Sequence, residues 1–244
     1  MFLFFCGCRI FAVMKKIVLL LVILVIAYNC SSDDTAAPAI PQTFNLLSLG
    51  DSYTKGQGVC ETCGYPVQLK DSLATRFNPQ DNFNLNVIAE TGWNTSNLID
   101  GIASENPANI YDLVTLCIGV NNQFQNRPFS MFEMEFPDLV NTATALAQGN
   151  KDNVLILTIP DYANTGFGQG FGGPIITEEL TMYNQFIINY CNTNGYRFVD
   201  AQNLIIDGLI NPELIASDNL HPSELAYSNL VTQLLPSAFE ILIE

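Results

Sequence analysis

Five short apolar runs punctuate this chain, and a longer stretch with helical spacing follows each of them. The runs are Phe44–Leu49, Phe83–Ala89, Leu113–Val120, Val154–Ile159 and Tyr196–Val199. Helical periodicity marks Val67–Phe77, Thr95–Ser104, Met131–Ala147, Ile176–Asn192 and Pro222–Leu242. Strict alternation of strand and helix is the signature of parallel strands joined by right-handed crossovers. Strands buried on both faces read as near-continuous apolar runs, which these are. The pattern predicts an α/β fold, a three-layer α/β/α sandwich around a flavodoxin-like parallel sheet of about five strands. The chain has 244 residues, enough for one such core, and no internal repeat.

The N-terminal residues do not belong to that core. In "MKKIVLLLVILVIAYNC" two lysines, Lys15 and Lys16, precede an apolar run of eleven residues, Ile17 to Ala27, and then Cys30. Such a run is too short to span a bilayer and has the length of a secretory signal core. Residues 1–29 therefore read as a signal peptide, with Met14 a possible true start and residues 1–13 then untranslated. Cys30 and the "SSDDTAAPAIPQ" behind it resemble a bacterial lipoprotein cleavage site. The resemblance implies lipidation of Cys30, a polar tether over residues 30–42 and a folded domain over 43–244. The chain is then exported, as an outer-membrane or cell-surface lipoprotein or, without the lipid, as a periplasmic or secreted protein.

Without its leader the chain keeps six basic residues against 24 acidic ones, a formal net charge of −18. A surface so acidic repels nucleic acid and anionic head groups, so neutral or cationic partners are expected and the membrane tether rests on Cys30 alone. Cys60 and Cys63 form "CETC" in a loop; Cys117 lies in an apolar run and Cys191 in a helical one. A redox-active Cys-x-x-Cys pair stands at a helix start, whereas here Gly64, Tyr65 and Pro66 intervene. A local Cys60–Cys63 disulfide is the expectation for an exported protein. One histidine and no second Cys-x-x-Cys pair argue against zinc. No metal or cofactor is expected. The segment "YANTGFGQGFGGP", Tyr162 to Pro174, matches G-x-G-x-x-G. A dinucleotide turn, however, joins strand to helix directly, and Pro160 and Pro174 interrupt both junctions. It reads instead as a mobile loop over the catalytic edge.

In open parallel sheets, sites form at the carboxyl ends of the strands. This chain brings to those ends Ser52 in "LGDSYTKGQG", Gly92 in "ETGWN" and Asn121 in "GVNNQ", with Asp218 and His221 in "SDNLHPSE" ahead of the last helix. Taken singly, these are ordinary turn and cap residues. A serine nucleophile needs a base titrating near neutrality, and His221 is the only histidine available. Asp218, three residues earlier, can hold the far imidazole nitrogen, and the Ser52 N–H can face a developing oxyanion. Gly50 would let the chain turn off the strand, and Asp51 would bond local backbone groups.

In their order, the four blocks resemble those of the SGNH, or GDSL-type, hydrolases, over about Leu46 to Pro222. The resemblance implies that the Gly92 N–H and the Asn121 side-chain amide complete an oxyanion hole with Ser52. It also implies a serine esterase working through an acyl-enzyme. One departure stands out, because the third block usually reads Gly-x-Asn-Asp and Asn122 occupies the last place. The expected substrate is a small-molecule or glycan ester of a short acyl chain, and the chain is expected to act as a monomer. The segments expected to wall the site offer only Phe124, Phe167 and Phe171 as large apolar groups; helices lining a longer trough are the alternative. Carbohydrate O-deacetylation and lysophospholipase or thioesterase activity are rival enzymatic readings. A catalytically silent glycan-binding surface lipoprotein is the non-enzymatic one.

Overall fold

The structure is a computed structural model that describes residues 40–244; the expected signal peptide, Cys30 and most of the expected tether lie outside the described residues. Five strands form one parallel sheet: β1 Thr43–Gly50, β2 Asn82–Ala89, β3 Leu113–Cys117, β4 Val154–Leu157 and β5 Arg197–Val199, in the order β2-β1-β3-β4-β5. Register is continuous, with Ser48 opposite Val87 on one side and Thr115 on the other. The strand order reverses between β1 and β3, which opens a crevice at their carboxyl ends. This is the predicted flavodoxin-like sheet.

Burial explains why the runs are so apolar. Leu46, Leu47 and Leu49 of β1, Leu113, Val114 and Leu116 of β3, and all of β4 are shut away from solvent. The edge strand β2 differs, alternating Asn82, Asn84 and Asn86 with Phe83, Leu85 and Val87, as a strand with one free flank does. The crossovers are α2 Tyr65–Ala74, α3 Thr95–Glu105, α5 Phe129–Leu146 and α7 Pro174–Asn194, and the chain closes with α8 Glu224–Ile243. Helix α2 packs on α8, and α3 on α5. Phe132 and Phe136 of α5 meet Tyr183, Phe186 and Tyr190 of α7, with Phe132 and Tyr183 ring centroids 4.8 Å apart. Each such buried aromatic contributes roughly 1.5–3 kcal/mol.

Two of the departures from expectation have causes that periodicity does not carry. The third strand stops at Cys117 rather than Val120. Gly119 has φ +128°, and a Cβ there would stand 2.7 Å from Ile159 and Phe132 side-chain atoms, so only glycine fits the turn into the short helix α4, Val120–Phe124. The glycine-rich segment, expected as a loop, is not loop throughout. Thr165 caps a single turn, α6 Gly166–Gly170, by accepting the Gly168 N–H on its hydroxyl. Cys60 and Cys63 are joined as a disulfide in the loop before α2, while Cys117 and Cys191 are buried free thiols.

Candidate active site

Ser52 opens the short helix α1, Ser52–Lys55, immediately beyond β1. Asp51 caps that helix, its Oδ1 accepting the Tyr53 N–H at 3.0 Å, and so holds the turn that presents Ser52. Gly50 serves in a different way from the free turn expected of it. A Cβ there would stand 2.2 Å from Thr54 Oγ1 and 2.4 Å from the Cys117 carbonyl oxygen, so glycine lets α1 and β3 close in.

The sole histidine reaches this serine from 169 residues away. His221 Nε2 is 2.9 Å from Ser52 Oγ, and Nδ1 is 2.7 Å from Asp218 Oδ2. The other carboxylate oxygen, Oδ1, accepts the N–H groups of Leu220 and His221 at 3.0 Å each, so Asp218 is locked by its own turn before it meets the ring. Burial alone would raise the Asp218 pKa, but these N–H groups and the imidazole outweigh it and hold the carboxyl below its ordinary value. Ser52 and His221 are only 5% and 8% exposed. Gly58 presses on the acid from outside, since a Cβ at this residue, with φ +87°, would lie 2.8 Å from Asp218 Oδ2.

Gly92 and Asn121 converge on the same cleft. Gly92 has φ +85°, and a Cβ there would point into open space, so the left-handed backbone, rather than crowding by the protein, calls for glycine. Asn121 Nδ2 donates to the Trp93 carbonyl oxygen at 3.0 Å, which leaves its second amide proton for the cleft. Among the described residues, neither the Ser52 nor the Gly92 N–H donates to a protein acceptor. A cavity of about 180 Å³ is lined by Ser52, Gly92, Asn121 and His221, and walled by Phe124 and Phe167 among others. Every predicted triad and oxyanion residue is therefore in one place, and among the described residues the cleft lining carries no Asp, Glu, Lys or Arg. Among the described residues, no three His, Cys, Asp or Glu side chains cluster as metal ligands would.

Several residues that hold this arrangement carried no sequence signal. Gln125 accepts from Asn94 Nδ2 and donates to the Gly92 carbonyl oxygen, both at 2.8 Å, binding the Gly92 loop to α4. The Trp93 ring lies over Gly101 of α3. Asn122 accounts for the departure in the third block. Its Oδ1 accepts the Thr95 N–H at 3.0 Å and its Nδ2 donates to Thr95 Oγ1 at 2.6 Å, while that hydroxyl gives its own proton to Glu135. An ionised aspartate has no proton for the second bond and would bring a like charge towards Glu135.

Residues 48–228 match the family described as the GDSL-like Lipase/Acylhydrolase family. No curated protein matches the chain by sequence. Among solved structures, TesA superposes with a TM-score of 0.61 at 20% identity, covering 81% of this chain and 99% of its own. The psychrotrophic esterase EstA from Pseudoalteromonas sp. gives a TM-score of 0.57 at 16% identity, over 82% and 99% of the two chains. An acetylxylan esterase from Geobacillus stearothermophilus gives 0.54 at 18%, over 82% and 95%. At these identities the neighbours speak to fold, and it is the sequence match across most of the folded domain that places the chain in the GDSL-like lipase/acylhydrolase family, as a carboxylic ester hydrolase.

Proposed function

We propose that the protein is an exported serine esterase that cleaves short-chain acyl esters through an acyl-enzyme. The observation that carries the mechanism is the continuous path from Asp218 through His221 to Ser52, at 2.7 and 2.9 Å, at the floor of a cleft. His221 takes the Ser52 proton on Nε2 as Oγ attacks the ester carbonyl, and Asp218 stabilises the imidazolium that results. The negative oxygen of the tetrahedral intermediate meets the N–H groups of Ser52 and Gly92 and the free amide proton of Asn121. His221 then protonates the leaving alcohol, and water attacks the acyl-Ser52 ester with the same imidazole as base. A cleft lined by no carboxylate, ammonium or guanidinium among the described residues favours uncharged esters, and its size favours acetyl to butyryl groups. Export and the lipid on Cys30 rest on the leader sequence.

Turnover of 4-nitrophenyl acetate by the purified protein tests this reading, with Ser52→Ala and His221→Ala expected to lose nearly all of it, each alone costing about as much as both together. Substantial turnover surviving in either variant would refute the triad.

A further inference from the structure

Phe124, Phe167 and Phe171 form an aromatic pad at the mouth of the cleft. Phe167 and Phe171 stack nearly parallel, with centroids 4.3 Å apart and planes 16° apart, and Phe124 tilts towards both at 5.8 Å. Phe124 and Phe167 line the cavity beside Ser52 and His221, whereas Phe171 is 60% and Phe124 41% exposed. Stacked rings left this open at the mouth of a pocket leave a flat apolar face uncovered.

The pad belongs to one side of the reaction. The Phe167 N–H donates to the Asn219 carbonyl oxygen at 3.0 Å, and a Cβ on Gly166 would lie 3.4 Å from the Asn219 Cβ. Helix α6 is thus fastened to the turn between Asp218 and His221. Since His221 Nε2 must deliver a proton to the leaving oxygen, the alcohol portion departs on the side where α6 stands. We propose that Phe167 and Phe171 determine specificity by stacking on a flat, uncharged ring in the alcohol portion of the ester, either the apolar face of a sugar or an aryl ring. This inference rests on the esterase reading and adds the leaving-group class to it. A ring lying flat offers its whole face to the pad, and partly positive C–H groups suit the electron-rich face of phenylalanine. The lining brings no carboxylate, ammonium or guanidinium to pair with a charged alcohol, and the acidic surface repels anions.

The test holds the acyl group constant and varies the alcohol, comparing n-hexyl acetate, benzyl acetate and an O-acetylated methyl pyranoside. The three leaving groups are unactivated alcohols, so differences report binding more than leaving ability. The wild type should prefer at least one ring-bearing acetate to the hexyl ester, and the preferred ester tells an aryl ring from a sugar. In Phe171→Ala the ring-to-hexyl ratio of kcat/KM should fall about five- to tenfold, the size of one stacking contact. Phe171→Tyr should restore the ratio and Phe171→Leu should not, because leucine supplies bulk without a face. An unchanged ratio in Phe171→Ala, or full rescue by leucine, would overturn the pad while leaving the esterase intact. If the wild type hydrolyses none of the three esters, nor 4-nitrophenyl acetate, the esterase reading falls and the pad with it.

Discussion

Replacing Asp51 by asparagine should reverse sign in its effect on stability between acid and neutral pH. Asp51 is 1% exposed, its Oδ1 is satisfied by the Tyr53 N–H, and among the described residues its Oδ2 has no protein partner; nor does the equally buried Tyr227 hydroxyl. Burial pushes its pKa from the ordinary 3.8 up to about 7, and the hydrogen bond from Tyr53 only partly opposes this. Between those two values the native state keeps a proton that the unfolded chain has already released, so stability falls as pH rises through this window and levels off above about 7. The full gap corresponds to roughly 4 kcal/mol, of which roughly 2–3 kcal/mol accrues between pH 5 and pH 8. Asparagine keeps the shape and the acceptor for Tyr53 but does not titrate. Its buried N–H groups bring a constant penalty of about 1–3 kcal/mol if they find no acceptor. The variant should therefore lose stability relative to the wild type near pH 5 and match or exceed it at pH 8. Urea denaturation of both proteins at pH 5, 6, 7 and 8 measures this, and all other titrating groups cancel in the difference. A difference that changes by less than about 1 kcal/mol across that range would show that Asp51 is ionised in the native protein throughout.

Other consequences follow from the same geometry. Asn121→Ala should lower kcat by roughly 100- to 1000-fold with a smaller change in KM, the cost of one oxyanion donor, and a loss under tenfold in steady-state kinetics would remove Asn121 from that role. Gly58→Ala places a methyl group against Asp218 on a backbone of φ +87° and should reduce kcat about 10- to 100-fold by shifting the acid from His221. Wild-type turnover in that variant would mean that the loop yields and Asp218 does not. On 4-nitrophenyl esters of two to sixteen carbons, kcat/KM should peak at acetyl to butyryl. An extended apolar trough would instead add roughly 0.8 kcal/mol for each buried methylene, and a peak at twelve carbons or beyond would reveal it.

The sheet and the residues that meet in the cleft were legible in the chain itself. Strands buried on both faces read as near-continuous apolar runs, and crossovers must be long enough for helices, so five runs and their spacing imply the parallel sheet. Ser52, Asp218 and His221 were legible because few side chains can act as nucleophile, base and orienting acid, and this chain has one histidine to offer. Tertiary structure decided the rest, because it depends on atoms far apart in sequence. Gly50 is required by Cys117, 67 residues on, and Gly58 by Asp218, in contacts that no local pattern encodes. Asn122 looked like a lost charge until Thr95 and Glu135 supplied the reason for an amide. Asp51 looked like any helix cap, and it is one, but its protonation is governed by how completely the surrounding core excludes water. Three phenylalanines on two separate segments became a stacked pad only when α6 was fastened to Asn219 beside His221, since desolvation, close approach and ring stacking are properties of packed surfaces rather than of neighbours along the chain.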